Sequence, residues 1–433
     1  MSHFVCSIDD PLPPGYPCPR ALHDCGRGRY DDKVIEEEVV VRLPPSAWGD
    51  DELDHDPEDD VKDWWLRGTW THPAEDFEEE EDGSSAAAAA AGCSRSSSIR
   101  RAILVVHGLF SWRNQMLIEG IARELSLGFV SSDPSSRTNF VRSERITATC
   151  TSGDDESSVR ATELQSIANR FTDPSNEPSS PSSPSARYSV LRIDLRGNGS
   201  SPGAWSYSCP SRDITDLRRT VRYMTSCYTY QPPSSSSSSS SSFGGYVVAP
   251  PRRLKVACII GHSAGSRAVL EYIAAAKVPP LPFVNLSGRY HPAPLGPSGR
   301  FTEGELRTLK ETGRVEFKAD YLKDRIRDGG FFVTAESISL RGELNMPVTV
   351  RKINDAARSQ AGGGRVRALT VHGGRDDVVS FEENARGGFG MRPVEGGLEG
   401  HVLVNIEKGD HNLNGVKYLP LIADLVRTFV ELK

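Results

Sequence analysis

At 433 residues, 37% of them hydrophobic, the chain is long enough to bury one large core with insertions and a tail. Its formal net charge is −7, which gives no electrostatic reason to expect nucleic acid or an anionic membrane as partner. Much of the acidity is local, in Asp50–Asp63 and Asp76–Asp82, so the remainder is near neutral.

Eight cysteines show no C-x-x-C and no regular spacing, and in a chain this long they read as free thiols of a reducing compartment. The first residues, MSHFVCSIDDPLPPGYP, combine no basic region with an apolar one, and no apolar stretch reaches the ~18 residues of a membrane span. A soluble, cytoplasmic protein without stable membrane insertion is expected; nothing indicates its oligomeric state.

Taken in order, residues 1–32 are rich in Pro, Gly and charge, without periodicity, and read as a disordered tail. Val34–Leu43 and Trp64–Thr71 are predicted strands of one hairpin with a long acidic insertion. Residues 76–98, with an acid run and six alanines, read as a solvated linker. Ala102–Val106 is a short apolar run suited to a buried parallel strand, and Asn114–Leu125 has helical spacing. Residues 129–187 form a long Ser-, Pro- and Asp-rich insertion in which only Val159–Phe171 has helical character. Tyr188–Ile193 is a strand, Ile214–Thr225 a helix, and 231–245, with its unbroken run Ser234–Ser242, a disordered bridge.

Leu254–Ala276 organises the rest. An apolar run (Val256–Ile260) meets Gly261-His262-Ser263-Ala264-Gly265, and Ala268, Val269, Leu270, Ile273 and Ala274 then repeat at helical spacing. A G-x-S-x-G between a buried strand and a helix is a nucleophile elbow: the tight turn lifts the serine hydroxyl clear of the sheet. Phe283–Leu286 is a further strand. Residues 289–362 are polar and largely helical in pattern, a cap inserted after the sixth strand. Its Phe301, Leu306, Leu309, Phe317, Tyr321, Leu322, Ile326, Phe331, Phe332 and Val333 either cover an acyl or aromatic group or anchor the cap on the body. Val366–Val371 and Val402–Ile406 are strands, Phe381–Ala385 begins a helix, and Val416–Leu432 is the last helix. The alternation predicts an α/β domain over 33–433: a mostly parallel twisted sheet of about eight strands, helices on both faces, and an antiparallel edge from the hairpin.

A serine hydroxyl needs a base within hydrogen-bond reach, itself oriented by a carboxylate. His411 follows strand Val402–Ile406 by five residues, on the same sheet edge as Ser263. His372-Gly373-Gly374-Arg375-Asp376-Asp377 follows strand Val366–Val371, so the acid is Asp376, with the adjacent Asp377 as competitor. The order Ser263, Asp376, His411 is the one expected for this architecture. Backbone N–H groups of Leu109 and Ala264 are the candidate oxyanion donors. His107, His262 and His372 are read as structural rather than as second bases. Asp194 and Arg196 are read as stabilising the turn after their strand, and Ser287–Tyr290 as a structural turn, with Arg289 and Tyr290 the candidates for a substrate contact.

The series HGLF (107–110), DLRGNGSS (194–201), GHSAGS (261–266), VNLSGRYHP (284–292), VHGGRDDVV (371–379) and KGDH (408–411) resembles the α/β-hydrolase superfamily. Within it the chain is similar to serine-aminopeptidase-type (S33) hydrolases, a group that includes acylglycerol lipases and feruloyl-esterase-like enzymes. The resemblance implies a Ser263–Asp376–His411 triad, an oxyanion hole from Leu109 and Ala264, and no cofactor or metal. The chain departs from the pattern at Ser266, where the group often has glycine, and at Ser380, where it has proline. No placed carboxylate pair marks a site for a free α-amine, so a small-molecule carboxylic ester is the expected substrate. A thioesterase or peptidase of the same fold and a non-catalytic binding protein are the alternatives. Haloalkane dehalogenase and epoxide hydrolase chemistry is disfavoured, because those relatives carry an aspartate where Ser263 stands.

Overall fold

The computed structural model describes residues 34–41, 65–73, 100–109, 111–127, 144–151, 154–172, 186–227, 254–276, 281–292, 301–316, 331–359 and 366–432. The expected tail, the acidic and alanine linker, the serine bridge and cap residues Phe317, Tyr321, Leu322 and Ile326 lie outside them. Among the described residues no helix is long and apolar enough to cross a membrane.

The hairpin partners are β1 (Val34–Val41) and β2 (Leu66–Pro73), and the next strand is β3 (Arg100–Val106). Then come β4 (Ile146–Cys150), β5 (Ser189–Ile193), the elbow strand β6 (Leu254–His262) and β7 (Phe283–Leu286). A short ribbon, β8 (Arg314–Glu316) and β9 (Phe332–Thr334), precedes β10 (Ala368–Gly373) and β11 (His401–Ile406). The large sheet runs β1-β2-β5-β3-β6-β7-β10-β11-β4. The run from β5 to β11 is parallel, while β2 is antiparallel to both of its neighbours. This is the strand order of the α/β-hydrolase fold with one strand added at its far edge.

Period-two alternation splits the sheet between two apolar layers. Ile103 and Val105 of β3 face one side, and Ala102, Leu104 and Val106 the other. The first layer is covered by α1 (Met116–Leu127), α2 (Asp155–Thr172) and α8 (Leu419–Glu431), through Leu117, Ile121, Leu164, Phe171, Leu425 and Phe429. The second is covered by α3 (Pro210–Arg222), α4 (Ala264–Ala275) and α7 (Met346–Arg358), through Leu217, Val269, Ile273, Val350 and Ile353. Strands buried on both faces need such continuous apolar runs, which is why AILVV reads as a strand at all.

Two expectations are modified. The 129–187 segment is not wholly a low-complexity insertion: β4 pairs antiparallel with β11, and α2 begins at Asp155 and buries Leu164, Ala168 and Phe171 in the main core. To the strands expected, β4 adds a ninth. The cap is also smaller than 289–362 and not all helical. Met346–Arg358 is a body helix packed on α4, because Met346, Val350, Ile353 and Ala357 repeat at helical spacing on its buried face. What remains over the site is α5 (Glu303–Thr312), the β8–β9 ribbon and α6 (Ala335–Glu343). Capping boxes at Thr302/Glu305 and Thr334/Ser337 start its two helices.

The cap's Phe301, Leu309, Val315 and Val333 pack with Tyr207, Trp205 and Leu109 of the body. Phe331 meets Trp205 edge-on at 5.1 Å between ring centroids, and Phe301 meets Tyr207 at 5.8 Å. These apolar side chains therefore anchor the cap on the body.

Candidate active site

The strand ends of β3, β6, β10 and β11 lie on one edge of the sheet, and the turn after each supplies one component of the site. Ser263 follows β6 directly, with φ 52° and ψ −115°, a conformation that costs a non-glycine residue energy. The surroundings over-determine it. Its N–H donates to Leu286 O at 2.8 Å, and the flanking glycines let backbones touch. A Cβ at Gly261 would stand 2.5 Å from Ser266 Cα, and one at Gly265 would stand 2.3 Å from the carbonyl oxygen of His107. Helix α4 can approach the β3 turn this closely only because Gly265 has no side chain.

His411 Nε2 lies 3.0 Å from Ser263 Oγ, and His411 Nδ1 lies 2.8 Å from Asp376 Oδ2. The side chain of Asp376 is fully buried and that of His411 is 14% exposed, so the line runs from the interior to the cleft. Asp376 Oδ1 accepts from the N–H groups of Val378 at 2.9 Å and Val379 at 2.7 Å. Burial alone would raise the Asp376 carboxyl; hydrogen bonds from His372, His411 and the Val379 N–H outweigh it and hold the group well below the usual carboxylate range. Asp377, the sequence competitor, is exposed.

His107, His262 and His372 each hold backbone or carboxylate. Leu195 N–H donates to His107 Nε2 at 3.2 Å, so the imidazole proton sits on Nδ1, which donates to Gly108 O at 2.7 Å. Burial, opposed in part by Asp194, keeps His107 below its ordinary value and therefore neutral. The Gly108 carbonyl and Leu109 N–H belong to one planar trans peptide, so gripping the oxygen turns the Leu109 N–H the opposite way. His262 Nε2 donates to the carbonyl of His411 at 3.0 Å. His372 Nε2 lies 2.8 Å from Val379 O and 3.2 Å from Asp376 Oδ2, so it braces both the acid and its loop.

Asp194 and Arg196 do stand in the turn after β5, but with separate partners. Asp194 takes Arg113, through side chain and N–H, together with Ser200 N–H, whereas Arg196 Nε pairs with Asp216 Oδ1 at 2.7 Å. Ser266, the departure at the elbow, is buried and donates to Gly261 O; Ser380 caps a π-helical turn, Phe381–Phe389, by accepting from Glu383 N–H at 3.3 Å. Tyr290, buried in the wall of the cleft, donates through its N–H to Asn384 Oδ1 and through its OH to Gly396 O.

Leu109, Ser263 and Ala264 line one small cleft beneath the cap, together with Arg267, Arg289 and Arg341. As the first residue of α4, Ala264 has an N–H with no acceptor inside its own helix. Arg267 and Arg341 were not singled out by the sequence reading. The helical period does place Arg267 one turn past the nucleophile, but nothing in the cap pattern points Arg341 inward. Among the described residues no three His, Cys, Asp or Glu side chains gather where they could hold a metal ion. The arrangement is one in which a neutral imidazole can draw the proton from a serine hydroxyl while a fixed carboxylate stabilises the charged ring.

No family model matches the chain, and no curated protein matches it. Solved structures with a similar course include the peroxisomal alpha-beta-hydrolase Lpx1 from Saccharomyces cerevisiae, 14% identical, covering 92% of this chain and 90% of that one with a TM-score of 0.43. Est1E from Butyrivibrio proteoclasticus is 12% identical over 86% of this chain and 95% of its own, TM-score 0.39. The esterase domain of a Rhodothermus marinus protein is 14% identical over 90% and 96%, TM-score 0.39.

Proposed function

We propose that the chain is a serine hydrolase that cleaves carboxylic esters of small or medium acyl or aromatic groups. The observation that carries this reading is the hydrogen-bonded line Ser263–His411–Asp376, at 3.0 and 2.8 Å, set on a strained elbow. Ser263 Oγ attacks the ester carbonyl as His411 Nε2 takes its proton, and the ionised Asp376 stabilises the imidazolium. The oxyanion of the tetrahedral intermediate is held by the N–H groups of Leu109 and Ala264, the first oriented through His107. His411 returns the proton to the leaving alcohol. It then deprotonates a water that attacks the acyl-enzyme, so ester and water become acid and alcohol. The chemistry needs no cofactor. Cys150, Cys209 and Cys258 are free thiols, which suits a cytoplasmic site of action.

The test is labelling by a fluorophosphonate probe on the wild type, Ser263→Ala and His411→Ala. Labelling that disappears in both variants supports an activated serine. A folded wild type that takes no label overturns the proposal and leaves a hydrolase-fold binding protein. A panel of matched ester, thioester and aminoacyl-amide substrates then decides the bond; a preference for the amide or thioester would replace the ester reading with a peptidase or thioesterase.

A further inference from the structure

His411 stands at the start of a turn whose backbone is costly. Leu413 has φ 50°, and Asn414 and Gly415 follow at 50° and 55°. Asparagine and glycine enter this left-handed region readily, whereas a leucine there is crowded by its own Cβ. Such a run persists only where its surroundings over-determine it. On the upstream side the Gly409 carbonyl accepts from Arg375 N–H at 2.9 Å, which ties the turn to the loop of Asp376. On the downstream side Leu413 is fully buried among the side chains of the first apolar layer.

Between these anchors two side chains close the turn reciprocally. Asn414 N–H donates to Asp410 Oδ1 at 2.6 Å, and Asp410 N–H donates to Asn414 Oδ1 at 2.7 Å. Inside the ring so formed, Leu413 N–H donates to Asp410 O at 3.0 Å, and Asn414 Nδ2 reaches back to Lys408 O at 3.4 Å. Neither Asp410 nor Asn414 lines the cleft. Asp410 is exposed, so the two bonds contribute modestly to the whole fold; what they settle is the local course of the backbone on either side of His411. We propose that Asp410 and Asn414 are positioning residues whose reciprocal bonds lock the left-handed turn that carries His411 Nε2 to Ser263 Oγ. This rests on the serine-hydrolase reading and adds to it two residues that touch neither substrate nor reacting atoms. His262 holds the carbonyl of His411 from the elbow, and the pair holds the turn from within, so the two constraints are independent.

Asp410→Ala removes one bond of the pair and Asn414→Gly the other, glycine being the residue best suited to a positive φ. In both variants the rate of fluorophosphonate labelling and kcat for p-nitrophenyl butyrate should fall by about ten- to a hundredfold, the scale of a misplaced catalytic group, with KM unchanged. Asp410→Asn keeps an acceptor oxygen without the charge and should retain most of the rate. Rates equal to the wild type in Asp410→Ala and Asn414→Gly, once corrected for the folded fraction, overturn the inference and leave the hydrolase reading standing. So does a loss in Asp410→Asn as large as that in Asp410→Ala, which would make the carboxylate's charge the cause. If the wild type takes no label and cleaves no ester, the hydrolase reading fails instead. The turn is then read by NMR of protein labelled with ¹³C-histidine, through the His411 ring Cε1–H signal, assigned by its loss in His411→Ala. That signal should move in Asp410→Ala and Asn414→Gly and stay in place in Asp410→Asn; a signal unmoved in all three overturns the inference.

Discussion

His262, the residue before Ser263, holds the backbone of His411: its Nε2–H meets the carbonyl oxygen of His411 at 3.0 Å. Burial, the nearby His411 adding to it, pushes His262 down to about 3, so the ring stays neutral with its proton on the donating nitrogen. Loss of this bond frees the loop that aims His411 at Ser263. His262→Phe is expected to lower kcat by roughly ten- to a hundredfold, the scale of a misplaced catalytic group. His262→Gln keeps a donor and should recover most of the rate. Stopped-flow labelling of Ser263 in both variants checks this, and an equal loss in the two would refute the role of the donor.

Asp376 and Asp377 are adjacent in sequence and opposite in environment. Asp376→Asn should cut kcat/KM by about 10³–10⁴, because the amide both removes the charge and favours the wrong imidazole tautomer. Asp377→Asn, on an exposed side chain, should leave it unchanged. Because Asp376 is held well below the usual range, it stays ionised at every working pH. No limb of the pH–rate profile in the neutral range should therefore belong to the Asp376 carboxyl.

Ser263 is strained at φ 52° and ψ −115°, and glycine relieves such strain where alanine does not. Ser263→Gly should therefore be more stable than Ser263→Ala by about 1 kcal/mol while both are inactive. Thermal denaturation of the pair reads this directly; equal melting temperatures would mean that the elbow carries no strain.

His401 lies under the sheet edge, bonded through Nε2 to Thr370 Oγ1 at 2.8 Å and through Nδ1 to Thr151 Oγ1 at 2.9 Å, and burial pushes it down to about 3. For His401 and His262 alike the folded value lies below the unfolded one, near 6.5. The unfolded chain thus binds the extra protons, and stability present above about pH 6.5 is lost as the pH falls towards 3. At pH 5 each ring should cost about 2 kcal/mol relative to neutral pH. His401→Gln should flatten the fall in melting temperature between pH 7 and 5, and an unaltered slope would count against the assignment.

The positions of Ser263, His411 and Asp376 at one sheet edge were legible because each lies in a short motif tied to a strand end, and strand ends are marked by apolar runs such as AILVV and VACII. What escaped was marked less clearly. ITATC of β4 has two threonines in five residues and borders a Ser- and Asp-rich stretch, so it carries little apolar signal; only its partner β11 makes it a strand. Helix α7 was counted into the cap because its mean composition is polar, although its buried positions recur at helical spacing. The Asp194–Arg113 and Arg196–Asp216 pairings depend on three-dimensional proximity, which spacing along the chain does not encode.

The edge strand β4 is separated from its sheet neighbour β11 by most of the chain: Thr151 and His401, bonded to each other, are 250 positions apart. A ribosome adding roughly 5–20 residues per second would finish β4 on the order of ten to fifty seconds before β11 is made. During that interval the strand and the apolar side of α2 have no sheet to join, and they depend on chaperones or on the solubility of their own polar flanks. The edge of the sheet at β4 is complete only once β11 has been made. Truncation just before β11 would then leave β4 without its partner strand and the first apolar layer without α8.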